Sequence, residues 1–174
     1  RRSEGVGRVG GTGRGGARAG AATPSVIPGL FLADTSATVV ARDHPDLARW
    51  LIELLEAGLL ATCVPLDLEA GFSATSPVDH QLIAAQRREL LIELPDSPEV
   101  AARAREIQAA LAATGQHRGV SSFEVLVAAY ALTYQATVVH HDRDYELIAA
   151  VTNLATQRVP WTTTPPPRPG AAAA

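Results

Sequence analysis

Five carboxylates in this chain stand where a hard metal ion could use them. Asp34 ends the apolar run Leu30-Phe31-Leu32-Ala33, and Glu69 lies within PLDLEAGFSA (65–74). Glu124 opens the apolar stretch of SSFEVLVAAYAL (121–132), and Asp142 and Asp144 close TVVHHDRD (137–144). Carboxylate oxygens are hard ligands suited to Mg²⁺ or Mn²⁺. Several of them gathered at one place cannot all stay ionised without a cation. The chemistry best served by such an all-carboxylate centre is phosphoryl transfer, in which the metal activates water and stabilises the leaving oxygen.

These acids matter only if the fold brings them together, so the elements that carry them come next. GLFLADTSA (29–37) reads as a buried strand passing into a helix start. Residues 44–58 place Leu47, Trp50, Leu51, Leu54 and Leu55 at helical spacing, with Gly58 as the stop. LLATCV (59–64) reads as a strand, and 65–74 as a helix opening on Pro65, weakened by Gly71 by about 1 kcal/mol relative to Ala. Segments 76–90 and 97–115 both begin Ser-Pro and read as helices, as does 121–135. ATVVH (136–140) is a β-branched buried strand, 143–151 a short helix and 156–160 a final strand. Strands alternating with helices imply an α/β layer structure with a largely parallel sheet. In such sheets, sites form beyond the carboxyl ends of the strands. Asp34 and Asp142 occupy that kind of position, so two acids about a hundred residues apart in sequence are expected to meet at one sheet edge.

LADTSA, PLDLEAGFSA, SSFEVLVAAYAL and TVVHHDRDYELIA, in that order and spacing over about residues 29–160, resemble a PIN domain of the VapC toxin type. The resemblance implies a three-layer α/β fold, Mg²⁺- or Mn²⁺-dependent endoribonuclease activity, a VapB-like antitoxin partner and a homodimer. The apolar stretch of the 44–58 helix is a candidate dimer face, or simply core. Carried over, Asp34 is the first acid of the family pattern, and Ser36 the hydroxyl that helps orient it or a water. Asp34 or Ser36 could instead be only a helix N-cap. Glu69 matches the second acid, with Asp67 as competitor. Two residues apart on a helix is about 200° of rotation, so only one of them can face the site. Glu124 stands where the family pattern has Asp, one methylene longer, and Ser121-Ser122-Phe123-Glu124 also spells a capping box. Asp142 and Asp144 match the family's last Asp-x-Asp, and Asp142 could cap the 143–151 helix as well. Arg118 and Arg143, with His117, stand beside these acids and could hold RNA phosphates, or be ordinary surface residues.

Other readings narrow against this one. His140 and His141 suggest zinc, but the chain has five His and one Cys, with no His-x-x-His or Cys-x-x-Cys spacing. On an alternating strand the two point opposite ways, so at most one reaches the acids. An aspartate-nucleophile phosphatase lacks its second acid, since Ser36 stands two residues after Asp34. A catalytically weak PIN fold that binds antitoxin or RNA stays open because of Glu124.

Of the 174 residues, 1–25 are Gly, Arg and Ala with little to bury, and 161–174 are a Pro/Ala/Thr tail; both are expected to be disordered, flanking one domain over 26–160. The basic arm could bind nucleic acid, or be upstream sequence translated from a misplaced start, with the native product beginning near Val26. A net charge of −3 gives no global field toward nucleic acid. The lone Cys63 fits a reducing cytoplasm, and no apolar run is long enough to span a membrane.

Overall fold

Each of the first four strands is followed by a helical segment, and the strand pairing among the described residues is parallel throughout. The computed structural model describes residues 29–161. In chain order the elements are β1 (Phe31–Ala33), α1 (Thr35–Ala41), α2 (Pro45–Glu56), β2 (Leu60–Thr62), α3 (Val64–Phe72), α4 (Pro77–Leu90), β3 (Ile92–Glu93), α5 (Pro98–Ala113), α6 (Ser122–Tyr134), β4 (Thr137–His140), α7 (Arg143–Val151) and β5 (Thr156–Arg158). The five strands form one sheet in the order β3-β2-β1-β4-β5, every neighbour parallel. The sheet leaves β1 in both directions, toward β2 on one side and β4 on the other. That is a topological switch point, where a parallel sheet opens a crevice at its carboxyl edge.

The strands are apolar on both faces, as a sheet covered by helices on both sides requires. Leu32 pairs with Val138, and both face a core built with Val127, Ala128, Tyr145 and Ile148 of α6 and α7 and with Ile107 and Leu111 of α5. The alternate positions, Phe31 and Val139, face a second core with Ala37 of α1 and Leu47, Trp50 and Leu54 of α2. This is the three-layer α/β arrangement expected from the sequence.

Local chemistry sets the helix ends. Ser76 and Ser97 accept from the backbone N–H of Asp79 and Val100, and each is followed by Pro in the first turn. Gly58 ends the α2 turn with φ +65°, a conformation glycine adopts without cost. Gly71 has a different reason to be small. A Cβ there would lie 2.9 Å from Nε2 of His80, so the glycine lets α4 approach α3.

Three features refine these expectations. The short β3 edge strand lies in a stretch whose sequence, Ile92-Glu93, is too brief to show a period. Trp161, placed in the tail by composition, is half-buried and packs edge-on against Trp50 at 5.6 Å. Of the two readings of the α2 apolar stripe, burial of Leu47, Trp50 and Leu54 favours core, while Ile52 of the same helix is exposed. The exposed apolar side chains concentrate on α3 and α4: Leu68, Phe72, Val78 and Leu82. The arm 1–25, the proposed start near Val26 and the tail beyond Trp161 lie outside the described residues. No helix among the described residues is long and apolar enough to cross a membrane.

Leu32, fully buried in the central strand, tests this core. Leu32→Ala is expected to lower stability by about 2–5 kcal/mol. Urea denaturation should show a lower midpoint with little change in slope.

Candidate active site

The site begins with the carboxyl ends of β1 and β4. Because these strands are parallel neighbours, the residues that follow them emerge side by side, and the backbone N–H of Asp34 donates to the carbonyl of Val139 at 2.9 Å. Asp34 is only 5% exposed, yet its carboxylate is well supplied with donors. Oδ2 accepts from the backbone N–H of Ser36 at 2.9 Å and from the Ser36 hydroxyl. Oδ1 accepts from the Tyr145 hydroxyl at 3.1 Å. Asp34 is thus the N-cap of α1 and also a buried acid facing the crevice edge. Ser36 bridges the two strand ends, because its oxygen accepts from the His141 backbone N–H at 3.0 Å.

Asp142 caps α7 by accepting from the N–H of Asp144 at 3.0 Å. His140 is fully buried, on the face period two assigns it with Val138. Its ring lies 5.1 Å from that of Tyr145, and its Nδ1 is 2.6 Å from the Asp142 carbonyl oxygen. Burial lowers the pKa of His140, the hydrogen bond to Asp142 partly opposing it. His141 turns the other way, toward the carbonyl of Val159. The two histidines therefore act on backbone, one of them inside the turn that presents Asp142.

The remaining acids reach the same edge from helices. Glu69 of α3 accepts from the Thr35 hydroxyl at 2.5 Å, next to Asp34 in the chain. Asp67 faces elsewhere, accepting from Arg87 Nε at 2.6 Å and from the Thr62 hydroxyl at 2.7 Å. The rotation between them separates an acid bonded to arginine from one with no salt bridge among the described residues. Ser121 caps α6 through the Phe123 N–H, and Glu124 reaches back to the Ser121 hydroxyl. The capping box is altered, however: the Ser121 N–H donates not to Glu124 but to Oδ2 of Asp144, at 3.3 Å. Glu124 and Asp144 thereby share one serine.

The electrostatics agree with this convergence. Burial raises the pKa of Glu124 above the usual carboxylate value; the Ser121 bond opposes this, and the charges of Asp144 and Asp142 add to it. Burial likewise raises that of the Tyr145 phenol, with Asp34 and Glu124 contributing, so its hydroxyl remains a donor. None of the four salt bridges among the described residues involves Asp34, Glu69, Glu124, Asp142 or Asp144.

Comparison with known proteins identifies the fold. The PIN domain signature matches residues 31–151. The chain belongs to the PIN-domain family. Ribonuclease VapC21 of Mycobacterium tuberculosis is 41% identical over 138 residues, covering 78% of this chain and 95% of that protein. Ribonuclease VapC2 of the same species is 37% identical over 133 residues, covering 74% and 92%. Among solved structures, VapBC-1 from nontypeable Haemophilus influenzae aligns with a TM-score of 0.60 at 14% identity, covering 74% of this chain and 97% of that one. VapBC-5 from Mycobacterium tuberculosis aligns with a TM-score of 0.52 at 19% identity, covering 76% and 100%.

In this PIN domain the donor set fits a hard divalent cation. It is all oxygen, half-buried to buried, and without bonded arginine among the described residues. It is not yet a closed coordination sphere: among the described residues no three Asp, Glu, His or Cys side chains are grouped tightly enough to hold a metal as they stand. Asp34 and Asp142 are pinned by capping bonds, whereas Glu69 and Glu124 are held only by single hydroxyls. Those two longer side chains are the less constrained of the four. Arg118 and Arg143 are both exposed. Arg143 lines a shallow cleft with Gln116, Gly119 and Asp144, so the loop carrying Arg118 lies against the start of α7.

Sequence reasoning missed Tyr145 and Thr35. Tyr145 sits where α7 turns an apolar side toward the core, and a buried tyrosine needs a partner for its hydroxyl. That requirement was the available signal.

The raised pKa of Glu124 has a consequence for stability. A carboxyl whose folded value lies above its unfolded value favours the folded state below the unfolded value, and that stabilisation is lost as pH rises through the folded value. Metal-free Glu124→Gln should therefore melt higher than the unsubstituted protein at neutral pH. The difference should shrink toward zero as pH falls below the usual glutamate range, as read by thermal melts across pH.

Proposed function

We propose that this protein is a metal-dependent endoribonuclease, the cytoplasmic toxin of a toxin–antitoxin pair. One observation carries the reading: acids from four separate segments approach the β1–β4 edge without a bonded cationic side chain among the described residues. The 41% identity to Ribonuclease VapC21 supports RNA as the substrate.

Asp34, Glu69, Glu124, Asp142 and Asp144 would hold Mg²⁺ or Mn²⁺. When bound, that cation supplies water activation and charge neutralisation for hydrolysis of an RNA phosphodiester, leaving a 3′-hydroxyl. The protein's own groups do the rest. Ser36 fixes the Asp34 carboxylate and ties it to the β4 turn, and the α7 cap fixes Asp142. Arg118 and Arg143 bind the flanking phosphates, which position the strand without reading its sequence.

Partners follow from the relatives and the surface. VapBC structures support a VapB-like antitoxin, and the exposed apolar side chains of α3 and α4, with Phe72 91% exposed, are assigned to protein association, by an antitoxin or in a homodimer. The hydroxyl bond that holds Glu124 favours a second reading, a catalytically weak PIN fold that binds RNA or antitoxin.

Cleavage assays separate the two. The purified protein should cut structured RNA with Mg²⁺ or Mn²⁺ and stop with EDTA. Asp34→Asn should lose more activity than the roughly 10–100-fold typical of residues that only support ligands. No cleavage with either metal would favour the binding module.

A further inference from the structure

Tyr145 has no part in the proposed chemistry so far, yet it is fully buried and spends its hydroxyl on Asp34. An ionised carboxylate has about four lone-pair positions. On Asp34 two of these, both on Oδ2, are taken by the N–H and hydroxyl of Ser36. A third, on Oδ1, is taken by Tyr145. One position remains, on Oδ1.

We infer that Tyr145 is a positioning residue of the metal centre, its hydroxyl turning Asp34 so that Oδ1 alone, through one lone pair, is offered to the cation. The inference rests on the metal-centre reading above. The terminal torsion of an aspartate is broad, so Ser36 bonds at Oδ2 leave Oδ1 a range of directions, and the Tyr145 bond narrows it. Tyr145 is also three residues beyond Asp142, on the helix that carries Asp144. Its hydroxyl therefore links the acid after β1 to the element bearing the acids after β4, and fixes their separation. His140, packed against the Tyr145 ring, keeps that ring in place from the strand side.

The test is direct Mn²⁺ binding, by titration calorimetry or by the loss of free Mn²⁺ signal in electron paramagnetic resonance. Tyr145→Phe keeps the ring and removes only the hydroxyl. Its Mn²⁺ dissociation constant should rise about 10–100-fold, the range for groups that orient a ligand. Tyr130→Phe is the matched control, because Tyr130 is also buried and donates to Asp96, away from these acids. It should bind Mn²⁺ as the unsubstituted protein does. Should Tyr145→Phe fail to fold, the unsubstituted protein still decides: Mg²⁺ drawing on Oδ1 should shift the near-ultraviolet absorption of a tyrosine, and saturation without a shift overturns the inference. Equal Mn²⁺ affinity in folded Tyr145→Phe and unsubstituted protein also overturns it, while leaving the metal centre standing. Absence of Mn²⁺ binding by the unsubstituted protein overturns the metal centre and the inference together.

Discussion

A carboxylate buried at the end of the central strand has to be supplied with hydrogen-bond donors, and much of the local structure follows from that need. Removing a charged group from water is costly unless hydrogen bonds replace the lost hydration. Asp34 receives three donors, from Ser36 twice and from Tyr145 once. The first two come from the chain turning immediately into α1, and the third comes from α7, over a hundred residues away. The parallel pairing of β1 with β4 makes the third possible, since it places the start of α7 beside the start of α1. The fold and the buried charge are therefore one problem, in which the sheet register that fills the core also delivers the donor.

The same chain handles its other acids in two contrasting ways. Asp67 is neutralised, bound by Arg87 and Thr62 in a half-buried network that joins α3, α4 and β2. Two residues later, Glu69 meets only the Thr35 hydroxyl. Asp67 has an arginine, and the acids at the β1–β4 edge have hydroxyls and backbone N–H groups. Hydroxyls orient a carboxylate without cancelling its charge, so the edge keeps its attraction for a cation. Burial raises the pKa of Glu124 there, and the charges of Asp144 and Asp142 add to it.

Most of the architecture was legible in the sequence because its signals are local. Ser-Pro starts, Gly58 and the β-branched run at 137–139 fix their elements through backbone chemistry that needs no distant partner. The position of Asp34 and Asp142 at strand ends was likewise readable from the alternation of strand and helix. The rest depended on contacts across the chain. Whether α2 offered a dimer face or a core stripe turned on Phe31, Val139 and Trp161 packing onto it. Glu124 spelled a capping box, but its backbone partner went to Asp144, which lies 20 residues further on and is invisible to any local pattern. Tyr145 drew no separate reading within the 143–151 helix. Only the three-dimensional neighbour made its hydroxyl meaningful.

The edge acids have no bonded arginine among the described residues, but three helices begin there. Asp34 caps α1, Glu124 lies in the first turn of α6, and Asp142 and Asp144 cap and open α7. Each helix start carries roughly half a positive charge in its unpaired N–H groups. Three such ends offset part of four carboxylate charges, which leaves the group folded yet still net negative. A strand-to-helix turn in a parallel sheet supplies this arrangement for β1 and β4, and α6 adds a third end from the side. Glu69, in the body of α3, has no helix end to lean on, and it is the acid held by a hydroxyl reached from another element. Partial compensation of this kind would suit the proposed cation centre. Full compensation by arginine would remove the field that draws the ion in, and none at all would leave the crevice too repulsive to close.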